Sequence, residues 1–255
     1  MTDEERELAL QTLARGGFVA PDAEADALLE ASSEGVGPIE DLIARRLLGE
    51  PLAWITGWVR FSGLRIRVDP GVFVPRPHTE ALARRAVALL PPLGIAVDLC
   101  TGSGAVAAVL GSERPRAAVV ATDIDPLAVA CTFRNGVRAL AGDLDEPLRP
   151  SWLERFDVMT AVVPYVPGEE LHLLPSDVLA NEPRLALDGG HRGTTVLLRT
   201  AEVAARWLRP GGSVLLELGG DQAEEVATKL ADVGISKIRV HRDGDGRDRV
   251  VEARH

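Results

Sequence analysis

The sequence is poor in several residue types that mark particular classes of protein. Its 255 residues include only two cysteines, Cys100 and Cys131, too few for a disulfide-stapled fold and without metal-ligand spacing. The five histidines are scattered without a His-x-x-x-His pair, so we expect no metal site. No apolar run approaches the roughly 18 residues of a membrane span, so we expect no membrane association.

Positive charge is also scarce. Lysine and arginine together number 28 against 38 aspartate and glutamate residues, which gives a net charge of −10. This balance disfavours nucleic acid as a partner, because binding to a phosphate backbone depends on cationic side chains. The first ten residues, MTDEERELAL, are acidic and lack the apolar core of a signal peptide, so we expect a cytoplasmic protein.

The N-terminal part is distinct in charge and in pattern. Residues 1–50 carry twelve acidic residues against four arginines, whereas residues 60–85 carry six arginines against two acids. Helical apolar spacing within 3–15, 21–31 and 38–48 predicts a bundle of three short helices. This bundle is either an extension that packs on the main domain or a module that recognises a partner.

Residues 54–74 change to the alternation of a β-hairpin around Ser62-Gly63. We interpret the hairpin as the joint between the bundle and a larger domain. After two prolines, Thr79 is expected to cap a helix over residues 80–90. The predicted organisation is an N-terminal bundle over 1–50, a hairpin linker over 51–78 and a main domain over 79–255.

Strands and helices alternate through the main domain. Strands are predicted near 95–99, 117–122, 137–141, 157–163 and 213–218. Helices are predicted near 104–112, 126–134, 193–208 and 221–232. The alternation predicts an α/β fold with a parallel sheet covered by helices on both faces, followed by an antiparallel hairpin over 237–252.

The stretch from Val97 to Ala107, VDLCTGSGAVA, reads as strand, glycine turn and helix. The turn itself is Thr101-Gly102-Ser103-Gly104. Glycines permit a tight turn and a close approach of the backbone to a ligand, and the N–H groups of the following helix point toward the same place. The sequence therefore predicts a ligand site at this turn.

Two cofactors fit the turn, and a turn without any ligand is the third reading. Gly102-x-Gly104-x-x-Ala107 satisfies the dinucleotide fingerprint. Asp123, at the end of the next strand, places a carboxylate for ribose hydroxyls. Asp98 favours S-adenosylmethionine (SAM), since a carboxylate beside the turn repels a pyrophosphate and attracts an ammonium and a sulfonium.

Two further positions follow later strands. Asp143 comes after the third strand, where it is placed to accept from an adenine amino group. The fourth strand leads into Val162-Val163-Pro164-Tyr165, in the crevice beside the first strand where open α/β sheets bind ligands. Tyr165, the only tyrosine, is either part of this site or a packing residue.

With these motifs in this order, the chain resembles the HemK/PrmC family of protein-(glutamine-N5) methyltransferases, which modify the Gly-Gly-Gln glutamine of peptide-chain release factors. The resemblance covers almost the whole length. It implies a seven-stranded, Rossmann-like SAM-dependent methyltransferase domain with a small N-terminal helical domain and a linking β-hairpin. The stretches that carry it are Gly49–Gly57, Phe73–Glu80, Asp98–Gly104, Asp123–Pro126, Gly142–Leu144, Asn181–Pro183, Ala186–Leu187, Arg209–Gly212 and Glu217.

The resemblance also implies a protein substrate of the release-factor kind and a set of functional residues; it sets no oligomeric state. The acceptor would lie against Val162, Val163, Pro164 and Tyr165. The cofactor SAM would be held by Phe73, Arg76, Thr79, Asp98, Cys100, Thr101, Gly102, Ser103, Gly104, Asp123, Ile124, Asp143 and Leu144.

The chain departs from the family where the family has Asn-Pro-Pro-Tyr. There the asparagine side chain and the next carbonyl accept the two N–H bonds of the substrate amide. Val163 keeps a carbonyl, but Val162 has no acceptor. An unpaired buried N–H costs roughly 1–3 kcal/mol, on the order of ten- to a hundredfold in rate.

Besides a glutamine methyltransferase, the alternatives are a SAM-binding protein with little activity, a nucleic-acid adenine methyltransferase and a small-molecule methyltransferase.

Overall fold

The computed structural model describes residues 3–255, apart from the side chains of residues 3 and 176. The first elements are helices packed around a small apolar core of their own, which includes Leu13, Leu28 and Leu42. They are α1 (Asp3–Arg15), α2 (Pro21–Ser33), α3 (Ile39–Leu47) and α4 (Leu52–Thr56).

Helix α4 is a departure from the sequence-based expectation, which placed these residues in the hairpin linker. Pro51 precedes its first turn, and Gly57 ends it in a left-handed conformation. Ile55 completes the core of the N-terminal bundle, whereas Trp54 packs toward the main domain and donates from Nε1 to the Val72 carbonyl at 2.9 Å. The short helix therefore connects the two parts of the chain.

The expected hairpin follows directly. Strands β1 (Trp58–Phe61) and β2 (Leu64–Arg67) pair antiparallel. Ser62 and Gly63 both have positive φ, 48° and 81°, which is typical of the tight turns that match the twist of a hairpin.

The main domain contains a seven-stranded sheet in the order β5-β4-β3-β6-β7-β9-β8, which confirms the predicted fold class. The first five strands run parallel, and β9 is antiparallel to both β7 and β8. The strands are β3 (Ile95–Leu99), β4 (Ala118–Asp123), β5 (Arg138–Ala141), β6 (Phe156–Ala161), β7 (Leu208–Glu217), β8 (Ser236–Arg242) and β9 (Asp248–Arg254).

Helices cover both faces of this sheet. Residues of α9 and α10 pack on one face, and residues of α5 and α6 pack on the other. Among residues 3–255 there is no helix with the length and apolarity of a membrane span. The helices are α5 (Thr79–Leu89), α6 (Ala105–Glu113), α7 (Pro126–Arg134), α8 (Ser176–Asn181), α9 (Thr195–Trp207) and α10 (Ala223–Asp232).

Two local expectations were wrong. Thr79 does not cap α5: the helix begins at Thr79 itself, with His78 at the cap position and no side-chain cap bond. A turn over the preceding residues, in which the Thr79 N–H donates to the Arg76 carbonyl, starts the helix one residue early. The strand predicted over 157–163 ends at Ala161, so Val162 and the residues after it leave the sheet.

Candidate active site

A pocket of about 1150 Å³, including space open to solvent, lies at the carboxyl ends of β3, β4 and β6. β4 and β6 lie on opposite sides of β3, so this is the switch point at which open α/β sheets bind ligands. Fourteen of the residues singled out from the sequence line it. They are Phe73, Arg76, Thr79, Asp98, Cys100, Thr101, Gly102, Ser103, Asp123, Ile124, Asp143, Leu144, Val162 and Pro164.

The glycine turn forms the floor of the pocket through unusual backbone angles. Cys100, Gly102 and Gly104 all have positive φ, of 52°, 58° and 81°. A Cβ on Gly104 would lie 2.8 Å from the Thr132 side chain, so glycine is required there by packing as well as by φ. Gly104 thus faces α7 and is not among the lining residues. Gly102 does line the pocket, and a Cβ there would meet nothing within 4 Å, so the space beside its backbone is open.

Asp98 is the most buried acid of the site, with 2% of its surface exposed. Its carboxylate accepts hydrogen bonds from the hydroxyls of Thr101 and Thr160, each at 2.6 Å. Burial raises the pKa of Asp98 to about 6, against the opposing effect of these two bonds. The carboxyl group therefore has a strong preference for a nearby positive charge.

Asp123 is held in place by the backbone. The Gly102 N–H donates to one carboxylate oxygen at 2.8 Å, and the Asp125 N–H donates to the other at 2.9 Å. Burial again raises the pKa of this carboxyl group, partly opposed by these bonds. Because each carboxylate oxygen can accept more than one bond, Asp123 retains acceptor capacity toward the pocket.

Asp143 has a partner that the sequence did not reveal. Arg199, on α9, also lines the pocket and donates from Nη2 to the Asp143 carboxylate at 2.7 Å. The two residues are 56 positions apart and each side chain is partly exposed. No local pattern links them, so only the fold identifies Arg199 as a residue of the site.

Two buried hydroxyl groups of the lining, Oγ of Ser103 and Oγ1 of Thr79, have no hydrogen-bond partner in the part of the chain that the structure describes. Buried polar groups are nearly always paired in native proteins. Groups of this kind in a pocket wall are suited to bind the polar atoms of a ligand.

Arg76 lies at the edge of the pocket in a well-defined position. Its guanidinium donates to the Glu182 carboxylate at 2.6 Å and stacks over the Phe73 ring at 4.7 Å. The Glu182 side chain is only 2% exposed, and burial raises its pKa while Arg76 opposes that rise. This pair ties the segment before α5 to the segment after α8.

The side chains of residues 162–165 alternate between the pocket and the core on the α9 side of the sheet. Val162 and Pro164 line the pocket. Val163 is 2% exposed and belongs to the core on the α9 side of the sheet, and Tyr165 packs against the same core. Neither Val163 nor Tyr165 is in the pocket lining, so their predicted roles toward an acceptor stay predictions.

The Tyr165 hydroxyl instead lies close to the buried Glu217 and the partly exposed His78, neither of which is in the pocket lining. It lies 3.4 Å from the Glu217 carboxylate, which also lies 3.2 Å from Nε2 of His78. Burial, and then the charge of Glu217, holds the pKa of Tyr165 well above its ordinary value. The second carboxylate oxygen of Glu217 has no partner among the described residues. Sequence reasoning missed this cluster because its members are 52 to 139 positions apart.

No group of three potential metal ligands occurs among the side chains that the structure describes. The pocket lining combines four aspartates, Asp98, Asp123, Asp125 and Asp143, with two arginines, Arg76 and Arg199. The acids outnumber the arginines, and this excess of negative charge suits a ligand that carries cationic and hydroxyl groups.

The sequence is similar to several curated proteins that share one name, release factor glutamine methyltransferase. The chain is 36% identical to the release factor glutamine methyltransferase of Moorella thermoacetica over 269 residues, covering 94% of each chain. It is 36% identical to that of Mycolicibacterium smegmatis, covering 97% of this chain and 95% of the relative. The enzyme of the same name from Geobacter sulfurreducens is 36% identical over 87% of this chain and 79% of its own length. No family model matches the sequence.

Solved structures support the fold. A methyltransferase from Pyrococcus furiosus superposes with a TM-score of 0.56 at 20% identity, covering 84% of this chain and 98% of its own. The ribosomal protein L11 methylase of Lactobacillus delbrueckii subsp. bulgaricus has a TM-score of 0.51 at 20% identity, covering 74% and 86%. At this identity the likeness concerns the fold alone.

Proposed function

The chain belongs to the release factor glutamine methyltransferase family, and from that premise we propose that it binds SAM and methylates a glutamine of a release-factor-like protein. The observation that carries the proposal is the placement of Asp98, Asp123 and Asp143 around one pocket at the carboxyl end of the sheet. Acids at these places suit a ligand with cationic groups, a ribose and an adenine.

The lining residues fit this cofactor, which when bound supplies an electrophilic methyl group on a sulfonium. A cation beside Asp98 would favour the ionised carboxylate, which burial disfavours. The unpartnered hydroxyls of Ser103 and Thr79 offer polar contacts, and the open space above Gly102 admits a ligand against the backbone.

Each carboxylate has a proposed task. Asp98 attracts the positive charges of the cofactor, Asp123 accepts from ribose hydroxyls, and Asp143 accepts from the adenine amino group. Apolar surface comes from Phe73 and Leu144, which line the same pocket. Arg199 donates to only one of the two Asp143 oxygens, so the proposed bond from the adenine amino group would use the other oxygen or share this one.

On the acceptor side the chain's own residues have to hold an amide nitrogen in line and keep water away. Val162 and Pro164 form an apolar part of the wall. The carbonyl of Val163 is the proposed acceptor for one amide N–H. Orientation of the amide nitrogen is the proposed source of most of the rate. As it gained the methyl group, the nitrogen would lose one of its two protons to solvent.

The resemblance to the family places an asparagine where this chain has Val162. Without it one amide N–H has no side-chain acceptor, at a cost of roughly 1–3 kcal/mol, or about ten- to a hundredfold in rate. We therefore propose a slow glutamine methyltransferase, with this step limited by orientation of the acceptor.

Cofactor binding is tested by calorimetric titration with SAM and S-adenosylhomocysteine. We expect micromolar binding that Asp123→Ala abolishes and that Asp232→Ala, an exposed acid at the end of α10, leaves unchanged. Absence of binding to both ligands contradicts the assignment of the pocket.

Methyl transfer is tested with labelled SAM and a purified bacterial release factor. We expect label in the factor and none when the glutamine of its Gly-Gly-Gln motif is replaced by alanine. A relative with an intact Asn-Pro-Pro-Tyr motif serves as the positive control. If the control labels the factor and this protein does not, the acceptor assignment fails while cofactor binding stands on its own measurement.

A SAM-binding protein with little activity is the second candidate, and Val162 is the observation that favours it. Under this alternative, Val162→Asn combined with Val163→Pro should create transfer to glutamine where the unmodified protein has none. Robust turnover by the unmodified protein excludes it.

A further inference from the structure

A second groove, of about 850 Å³ including space open to solvent, lies at the opposite end of the sheet from the candidate site. It runs between the end of α5 and strands β7, β9 and β8. We call it the basic groove, because five cations and two acids line it, a local charge of +3 in a chain of −10. These charged residues are Arg85, Arg209, Lys237, Arg239 and Arg254, with Asp157 and Glu252.

Both acids of the basic groove are already engaged. Glu252 accepts two hydrogen bonds from the Arg85 guanidinium, at 2.6 and 2.8 Å. Asp157 accepts from Arg209 at 2.5 Å and from the backbone N–H of Ile95 at 2.8 Å. These carboxylates therefore neutralise two of the five cations and have little capacity for the others.

Three cations remain without a counter-charge. Lys237, Arg239 and Arg254 are exposed, and none of them has an acidic partner within ion-pair distance in the described part of the chain. The only side-chain bond among them runs from Nε of Arg254 to the Gly211 carbonyl at 2.9 Å. Their repulsion would be relieved by an anion bound in the groove.

The backbone beneath two of these cations is irregular. Between Ser236 and Arg239, β8 carries one residue more than its partner β9, which makes a β-bulge. Lys237 sits in it with φ of +52°, a conformation that non-glycine residues rarely adopt. Bulges of this kind redirect side chains and concentrate near functional sites, where local strain is retained for a purpose.

Protection of the sheet edge does not account for the basic groove. β8 is an edge strand, and charges on such strands discourage pairing with other chains. That explanation covers Lys237 and Arg239 only. Arg254 lies on β9, inside the edge, and Arg209 lies near the start of β7.

We propose that the basic groove binds the phosphodiester backbone of a nucleic acid. Guanidinium groups present paired N–H donors that match phosphate oxygens, and three uncompensated cations in one groove suit a ligand that carries several negative charges. The groove lining contains no aromatic side chain on which a base would stack, so binding follows charge and not sequence. This site is separate from the pocket at the other end of the strands.

The test is fluorescence anisotropy with a labelled 20-nucleotide polyuridine. For single strands the logarithm of the affinity falls by about 0.7 per neutralised phosphate for each tenfold rise in salt. Three cations therefore predict a slope of about −2, or roughly a 20-fold loss of affinity between 50 and 200 mM salt.

The decisive variant combines Lys237→Gln, Arg239→Gln and Arg254→Gln. We expect it to bind the polyuridine at least tenfold more weakly at 50 mM salt, with a slope close to zero. A polyglutamate of equal charge is expected to compete poorly, because carboxylate spacing on a peptide differs from that of a phosphate backbone. Thermal unfolding of the variant checks that the sheet edge is intact.

A matched control removes the same charge from elsewhere. Arg15, Arg116 and Arg138 are exposed and lie outside the groove lining, on α1, before β4 and on β5, the strand at the opposite edge of the sheet from β8. Their change to glutamine should leave binding and slope unaltered. The proposal is overturned if the unmodified protein does not bind at 50 mM salt, if the groove variant binds like the control, or if polyglutamate competes equally. None of these measurements depends on methyl transfer, so the two proposals fail separately.

Discussion

Replacing Asp98 with asparagine should make the protein more stable in the absence of cofactor and weaken cofactor binding. The carboxyl group is 2% exposed, and burial raises its pKa from 3.8 to about 6. A shift of that size means that ionised Asp98 costs the folded state about 3 kcal/mol. Asparagine has the same shape. Its amide oxygen can accept from one of the two threonine hydroxyls, Thr101 or Thr160, and its NH2 group can donate to the oxygen of the other.

The effect must depend on pH in a fixed direction. Because the folded-state pKa is raised, the favourable contribution of Asp98 is fully present below pH 3.8 and is lost as the pH rises through about 6. Asparagine does not titrate. The variant should therefore exceed the unmodified protein in stability by about 2–3 kcal/mol at pH 8, allowing for weaker hydrogen bonds, and by almost nothing at pH 4.

The assay is urea unfolding of both proteins at several values of pH between 4 and 8, followed by far-ultraviolet circular dichroism. At this chain length a gain of 2 kcal/mol also raises the Tm by about 4–8 °C. Asp232→Asn, on an exposed part of α10, is the matched control and should change stability by less than about 0.5 kcal/mol at any pH.

Calorimetry completes the test. The affinity of the unmodified protein for SAM should fall about tenfold for each pH unit below about 6, as the proton on Asp98 competes with the cationic ligand. The Asp98→Asn variant should bind weakly with no such dependence. A variant that is less stable at pH 8, or a stability difference that does not change with pH, refutes the reasoning about burial.

Three further changes test other parts of the structure. Gly104→Ala should lower the free energy of unfolding by about 1 kcal/mol or more in urea, because φ is +81° and the added carbon would lie 2.8 Å from the Thr132 side chain. Its control, Gly111→Ala, lies in open space on α6 and should raise that free energy by about 0.5–1 kcal/mol. Arg76→Met should cost about 3 kcal/mol in the same assay, because it leaves the buried Glu182 carboxylate unpaired. Arg199→Gln should tighten SAM binding by up to about fivefold in calorimetry, because the half-exposed ion pair that it breaks is worth at most about 1 kcal/mol.

The fold was largely predictable because the sheet strands are apolar runs separated by turns. The first three strands of the sheet, β3, β4 and β5, lie within two residues of the predicted ranges. Helices α4 and α8 were missed because five or six residues are too few for helical periodicity to appear. The early end of β6 was missed because the apolar run continues past it, and composition cannot separate a strand from an extended segment.

The pocket lining was largely predictable, because most of the predicted residues lie in the segment before α5 or directly after a strand of the parallel sheet. The residues after β3 line the pocket, as their position at a strand end suggested. The contacts of Arg199, His78 and Glu217 could not be foreseen, because they join segments far apart in the chain. Long-range ion pairs leave no spacing pattern, so the electrostatics of the site had to come from the fold.

In the segment over 162–165, position in the sequence and contacts in the fold lead to different expectations for neighbouring residues. Extended backbone turns successive side chains to opposite sides, so Val162 contacts the pocket while Val163 packs in the core. Tyr165 packs against that same core, and its hydroxyl reaches Glu217 behind the wall. Val162 is thus a pocket-lining side chain on a segment that Val163 and Tyr165 hold against the core. We expect that a hydrogen-bond-accepting side chain at position 162 needs no rearrangement of that core. We therefore propose that a shortfall in glutamine methylation would arise at Val162, and we predict that Val162→Asn is the smallest change that supplies the missing acceptor.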